Sequence, residues 1–129
     1  MRFADVEKFC LSLAAASVDT PFDDSHVYKV GGKMFAMIAY DANAKPSEIW
    51  FKAGAVSYPI LTRLRGIKPC PYLARAQWVA VEGLKVLSDK ELKSYLRRAH
   101  GIVAAGLSKK KRAALGIAEA GITEDGDDG

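Results

Sequence analysis

The sequence has 129 residues, of which 50% are hydrophobic and 26% are charged, so its composition is globular and excludes an intrinsically disordered chain. Its apolar runs are too short to span a bilayer, and its first residues carry charges where a secretory signal would be continuously apolar. We therefore expect a cytoplasmic protein with one domain at residues 1–115 and no membrane partner.

The formal net charge of +4 is the sum over three segments that differ strongly in charge. Residues 1–60 carry six Lys and Arg residues and seven Asp and Glu residues. Residues 61–112 carry thirteen bases and only three acids, whereas residues 113–129 carry five acids and no base. A segment this basic favours a polyanionic partner, although a solvated surface that keeps the protein soluble is the alternative. Residues 116–129 are expected to form a disordered acidic tail.

The first predicted element is a helix at about residues 4–16. Val6, Phe9, Cys10 and Leu13 recur at the spacing of one helical face, and Pro21 marks the end of the segment. Three strands are predicted next, at about 26–30, 33–40 and 47–52. The first two are joined by two glycines, which accept the positive φ of a tight hairpin turn.

The second half alternates weaker and stronger patterns. The apolar residues of 53–64 have helical spacing, which predicts a helix there. Residues 66–71 are predicted to form a proline-containing loop, and residues 77–82 are predicted to form a fourth strand. Ser88 and Glu91 match a capping box, with Leu87 and Leu92 as its hydrophobic staple, so a long helix is predicted at about 88–106. Residues 107–115 predict a short terminal helix or an extension of that helix. The fold class is therefore α+β, with an antiparallel sheet of four or more strands covered by helices.

Residues that commonly carry catalysis or bind metals are scattered along the chain. Cys10 and Cys70 form no CxxC pair, and neither His26 nor His100 belongs to a nucleophile signature. The segment 31–33 lacks the spacing of a phosphate-binding P-loop. We expect no metal and no cofactor. An enzyme with a site near His26 is a weaker hypothesis than a protein that binds DNA, another protein or a small anion.

Basic and aromatic residues offer a better candidate site. Lysine and arginine neutralise phosphates and release counterions, while exposed aromatic rings stack on bases. The candidate contacts lie around the proline-containing loop, on the long helix and near the C-terminus: Arg63, Arg65, Lys68, Tyr72, Arg75, Arg97, Arg98, Lys109, Lys110, Lys111 and Arg112. Trp78 is a further aromatic, for which core packing is favoured over stacking.

Two stretches resemble the MmcQ/YjbR family of small bacterial proteins. They are VYKVGGKMFA at residues 27–36 and PYLARAQWVAV at residues 71–81, which is similar to the family's PYL-x-R-x-x-WV segment. The resemblance covers about residues 3–115. It implies a CyaY-like fold and DNA binding, and it supplies no catalytic residue. The leading hypothesis is a non-enzymatic protein that binds DNA phosphates with low sequence specificity, and the alternative is a module that binds a protein or a small anion.

Overall fold

The computed structural model describes residues 1–21 and 25–117, so most of the predicted acidic tail lies outside the described residues. These residues form an α+β fold, as predicted. Its elements are, in chain order, α1 (Phe3–Ser12), β1 (Ala16–Asp19), β2 (Ser25–Val30), β3 (Lys33–Tyr40), β4 (Pro46–Lys52), α2 (Gly54–Leu61), β5 (Ile67–Pro69), a 3-10 helix (Ala74–Ala76), β6 (Trp78–Val81), α3 (Asp89–Ala105) and α4 (Lys109–Leu115).

The six strands form one antiparallel sheet in the order β1-β2-β3-β4-β6-β5. In its centre, Phe51 of β4 lies between Ala36 of β3 and Val79 of β6. We call the end of the sheet with the β2–β3 turn, Gly31 and Gly32, the hairpin end. The opposite end carries the turn between β3 and β4. This register decides which side chains from distant parts of the sequence become neighbours.

The main core lies between the sheet and the helices α1 and α3. Tyr28, Phe35, Phe51 and Leu96 are fully buried there. The Phe51 ring stacks on Tyr95 of α3 at 5.9 Å between ring centroids. Burying each such side chain stabilises the fold by about 1.5–3 kcal/mol relative to leaving it in water.

A smaller apolar cluster occupies the other face of the sheet. It contains the buried residues Cys70, Trp78 and Ala80, with Trp50 and Leu73 packed against them. Trp78 is only 4% exposed, so the predicted packing role is confirmed. The segment between β5 and β6 covers this part of the face and leaves the part formed by β2 and β3 open.

The predicted first helix is too long. α1 ends at Ser12, Ala15 has a φ of +55°, and β1 begins at Ala16. Ala16–Asp19 pairs with Val27–Val30, so its backbone groups find partners on the sheet edge. Tertiary pairing of these groups overrides the helix propensity of the preceding alanines.

The predicted loop at 66–71 was also wrong, because Ile67–Pro69 forms the edge strand β5 and pairs with β6. Proline is tolerated at a sheet edge, where its missing N–H breaks no central ladder. The long helix is confirmed as α3. Both capping-box bonds are present, from the Glu91 amide to Ser88 Oγ and from the Ser88 amide to Glu91 Oε1, each 3.1 Å.

Candidate nucleic-acid interface

Three strand ends bring separate bases together at the hairpin end. Lys33 follows the two-glycine turn, and Lys52 ends β4, where it pairs with Trp78. Arg75 lies in the 3-10 helix just before Trp78 and is exposed. The Lys52 ammonium donates to the carbonyl oxygen of Ala76 at 2.9 Å, which ties β4 to this short helix. These three bases therefore lie at the same end of the sheet, although they are far apart in the sequence.

The helix α4 begins at the same end of the molecule. Leu107, in the junction between α3 and α4, packs against Gly31 of the hairpin turn. Ser108 then caps α4 by accepting from the Lys111 amide at 3.0 Å, so the helix starts next to the turn. Lys109, Lys110 and Lys111 are exposed. We call the set Lys33, Lys52, Arg75, Lys109, Lys110 and Lys111 the basic end.

Arg112 has a different role within α4. Its guanidinium Nη1 donates to the carbonyl oxygens of Ala105 and Leu107, where α3 ends. These bonds satisfy carbonyl groups that a helix terminus leaves without intrahelical donors. Arg112 therefore fixes α4 to α3, and its half-buried side chain is directed inward.

The acidic residues in the described parts of the chain lie elsewhere. No Asp or Glu occurs in residues 28–35, 50–56, 71–79 or 95–117, which form the hairpin end. Glu48 and Asp19 are bonded to Lys68 and Lys29 on the sheet, and Asp89 lies 3.4 Å from the amino group of Met1. Within residues 1–21 and 25–117, charge is thus segregated, and the bases at the hairpin end have no acid in the segments around them.

Arg63, Arg65 and Lys68 lie outside the basic end. Arg63 and Arg65 are exposed before β5, at the opposite end of the sheet from Arg75. The Lys68 ammonium donates to Glu48 Oε2 at 2.9 Å, and this hydrogen bond raises the pKa of Lys68 above its usual value. A lysine already paired in this way contributes less to an anion site than an unpaired one.

The two arginines of α3 point to different sides of the helix. The Arg97 guanidinium lies over the Phe9 ring of α1, 5.4 Å from its centroid. Arg98 instead donates to Ser57 Oγ of α2 at 3.1 Å and lies over Tyr95. Both arginines therefore link helices on the covered face of the sheet.

Tyr72 is fully exposed and has a φ of +66°. It lies between Cys70, which pairs with Trp78, and the 3-10 helix that carries Arg75. An aromatic ring that packs on nothing in the protein is free to stack on a base or a sugar. The structure thus brings Tyr72 and Arg75 to the same end as the α4 lysines.

Sequence reasoning missed Lys33 and Lys52 because each is an isolated base in a strand segment. The predicted meander contained a signal for them. In an antiparallel meander, the turn after the first strand and the end of the third strand lie at the same end of the sheet. Lys33 and Lys52 occupy those two places.

The residue types of catalytic and metal sites are dispersed in the structure too. Among residues 1–21 and 25–117, no three His, Cys, Asp or Glu side chains form a group that could hold a metal ion. His26 Nδ1 lies 2.8 Å from Glu7 Oε1, and His100 Nε2 lies 2.7 Å from the carbonyl oxygen of Ala14. His26 thus links β2 to α1, and His100 links α3 to the segment between α1 and β1.

The two cysteines are free and buried. Burial raises the pKa of the Cys10 thiol to about 12 and that of Cys70 to about 12. Nucleophilic cysteines need a lowered pKa, because the thiolate is the reactive form. Both thiols therefore behave as small apolar side chains of the core.

Comparison with known proteins decides the family. The YjbR family model matches residues 11–102, which include the hairpin, the segment 71–81 and most of α3. The chain belongs to the YjbR family. This confirms the resemblance seen in the two sequence stretches.

A solved structure of another YjbR-like protein has the same fold. The crystal structure of Deinococcus radiodurans protein DR2400, with a DUF419 domain, superposes with a TM-score of 0.79. The two chains are 24% identical, and the match covers 91% of this YjbR protein and 89% of DR2400. No curated protein matches the sequence. Within the described residues, no helix is both long and apolar enough to cross a bilayer.

Proposed function

We propose that this YjbR protein is a non-enzymatic, cytoplasmic DNA-binding protein that contacts phosphates through its basic end, with little base specificity. The observation that carries the proposal is the segregation of charge. Six bases lie at the hairpin end, and the segments that form this end, residues 28–35, 50–56, 71–79 and 95–117, contain no acid. An uncompensated surface of this kind attracts a polyanion and orients it before contact.

The chemistry of the basic end suits the phosphate backbone. Five of its six bases are lysines, whose ammonium groups act as point charges on flexible stems and do not read a base edge in a fixed geometry. Tyr72 supplies an aromatic face beside Arg75 for stacking on an unpaired base. We therefore expect similar affinity for duplexes of different sequence.

The salt dependence of binding tests this proposal. With four to six phosphates contacted, the plot of log K against log salt for a short labelled duplex should have a slope of about −4 to −5. Fluorescence anisotropy at several salt concentrations measures this slope. Absence of any binding at low ionic strength would overturn the proposal.

A pair of matched variants locates the interface. Lys33→Gln with Arg75→Gln removes two charges at the basic end, and Arg63→Gln with Arg65→Gln removes two at the opposite end. The first double variant should flatten the slope by about two units and weaken all duplex sequences alike. The second should leave the slope nearly unchanged. Equal effects of both would indicate that net charge alone, without a defined interface, governs binding.

The acidic segment 118–129 provides an additional test. It carries five acids and no base, and it follows directly after α4 in the sequence. These carboxylates compete with phosphates for the same bases, so truncation after Ile117 should tighten DNA binding at low salt. The gain should fade as salt screens the charges.

The same experiments separate DNA from the other candidate partners. A small-anion site would bind inorganic pyrophosphate or tripolyphosphate with a saturable, low-stoichiometry isotherm, and it would lack the steep salt dependence of a duplex. The small-anion hypothesis replaces the DNA hypothesis if the parental protein does not bind DNA and the double variant Lys33→Gln with Arg75→Gln binds polyphosphate more weakly than the parental protein.

A further inference from the structure

A pocket of about 350 Å³ lies on the face of the sheet that α1 and α3 leave open. It is formed by β2, β3 and β4, and its lining includes Ser25, Val27, Met34, Met37, Tyr40 and Trp50. The volume lies in the range of small-molecule sites, which are concave and mostly apolar with few polar groups. None of its lining residues belongs to the basic end.

Ser25 is the first indication of a ligand. It is only 8% exposed, and its hydroxyl has no hydrogen-bond partner among the residues that the structure describes. Ser25 lies opposite Ala39 in the β2–β3 ladder, and both residues line the pocket. A buried hydroxyl without a partner is unfavourable, and such groups are rare in native proteins. A polar atom of a bound molecule would satisfy it.

The charges around the pocket indicate what kind of molecule fits. Among the residues that the structure describes, the lining contains no charged side chain. The Trp50 indole N–H already donates to Glu48 Oε1 at 2.9 Å. Glu48 also accepts from Lys68, and on the other side Lys29 donates to Asp19 at 3.0 Å. Because these ionic groups at its borders are paired with each other, the described part of the pocket offers no counter-ion to a charged ligand.

The side chains of the lining favour an aromatic ligand. Met34 and Met37 have flexible, polarisable thioethers, which fill irregular gaps and contact ring edges favourably. Tyr40 and Trp50 present rings that can pack on another ring in an offset or edge-to-face geometry. Met34 is 36% exposed, so a ligand would also remove apolar surface from water.

We propose that this pocket binds a small, uncharged, mainly aromatic molecule that forms one hydrogen bond with the Ser25 hydroxyl. The hydroxyl donates to a carbonyl oxygen of the ligand, and the methionines and rings enclose the apolar part. The site is separate from the basic end, so this proposal does not depend on the proposed DNA binding.

Methyl NMR offers a direct test, because the sequence contains three methionines and two of them line the pocket. Met1 is the internal control, since its amino group lies at Asp89, at the start of α3. The probe is coumarin, an uncharged bicyclic aromatic lactone with a carbonyl acceptor. In protein labelled with ¹³C at the methionine methyl groups, coumarin should shift the Met34 and Met37 signals saturably and leave Met1 unmoved.

Two variants and one matched control complete the experiment. Ser25→Ala should weaken coumarin binding by about five- to tenfold, the effect of losing one hydrogen bond. Met37→Lys places a charge in the pocket and should abolish the shift of Met34. Val56→Lys introduces the same charge at an exposed position of α2 and should bind like the parental protein.

Two results would overturn the proposal. One is a titration in which Met34 and Met37 shift no more than Met1. The other is a Ser25→Ala protein that binds coumarin as tightly as the parental protein, because the hydroxyl would then have no part in binding. A folded state for each variant is checked from its methyl spectrum before titration.

Discussion

Leu107 lies directly against Gly31, so closely that a Cβ atom on Gly31 would stand 2.7 Å from Leu107 Cδ1. Gly31 also has a φ of +60°, a conformation that L-residues with side chains rarely adopt. The contact seats the junction between α3 and α4 under the hairpin turn. This packing holds the start of α4 next to the turn that precedes Lys33.

Gly31→Ala should therefore destabilise the protein more than Gly32→Ala. Both positions have positive φ, which costs about 1–2 kcal/mol for alanine. Only Gly31 has a neighbour within 4 Å of the added Cβ, and overpacking there adds about 1–3 kcal/mol. Urea denaturation measures both values. Equal losses for the two variants would mean that Leu107 moves aside without cost.

A second prediction concerns the bond between Tyr28 and Glu7. The fully buried Tyr28 donates its hydroxyl proton to Glu7 Oε1 at 2.9 Å, which ties β2 to α1. Hydrogen bonds to charged groups contribute about 1.5–3 kcal/mol. A double-mutant cycle of Tyr28→Phe and Glu7→Ala should give a coupling free energy of about that size. Additivity within about 0.5 kcal/mol would contradict it.

The buried thiols lead to a prediction about alkaline pH. Burial holds the pKa of both Cys10 and Cys70 at about 12, above the usual value for an unfolded chain. The folded state thus retains these protons longer than the unfolded state. The free energy of unfolding that each protonated thiol contributes is fully present below the unfolded pKa of about 8.5. It declines as the pH rises toward 12, by up to about 1.4 kcal/mol per pH unit for each thiol.

Two measurements check the thiols. Denaturation curves between pH 8 and pH 10.5 should show a shallower decline for Cys70→Ala than for the parental protein, since one titrating thiol is gone. At pH 8, Ellman's reagent should react with the native protein far more slowly than with protein in urea. Rapid reaction of a thiol in the native state would contradict its burial.

The fourth prediction compares two tryptophans on one face of the sheet. Trp78 is 4% exposed, whereas Trp50 is only partly buried against the same cluster. Trp78→Ala should cost about 3–5 kcal/mol, the usual loss for a large core aromatic. Trp50→Ala should cost clearly less. A thermal melt of each variant shows the order, and a reversed order would contradict the described packing.

The parts of the fold that the sequence predicted are those with local signals. The two glycines between β2 and β3, and the reciprocal bonds of Ser88 and Glu91, depend only on residues within a few positions of each other. β1 and β5 had no such signal. Ala16–Asp19 and Ile67–Pro69 become strands because a neighbouring strand offers hydrogen-bond partners, which is a property of the assembled sheet.

The candidate site was predictable in part for the same reason. The run 109–112 is visible as a cluster in the sequence. Lys33, Lys52 and Arg75 are separated by about twenty residues each, and only the antiparallel register brings them to one end. Arg63 and Arg75 flank the same short segment of sequence, yet β5 runs between them and separates them to opposite ends of the sheet.

The shortness of β5 also affects how copies of the protein behave toward each other. An exposed sheet edge can template the addition of a strand from another molecule, which leads to aggregation or fibres. β5 offers only three residues, and Pro69 has no N–H to donate. The other edge, β1, is four residues long and carries Asp19. Both outer strands are thus poor templates, and concentrated solutions should resist edge-to-edge polymerisation despite a six-stranded sheet.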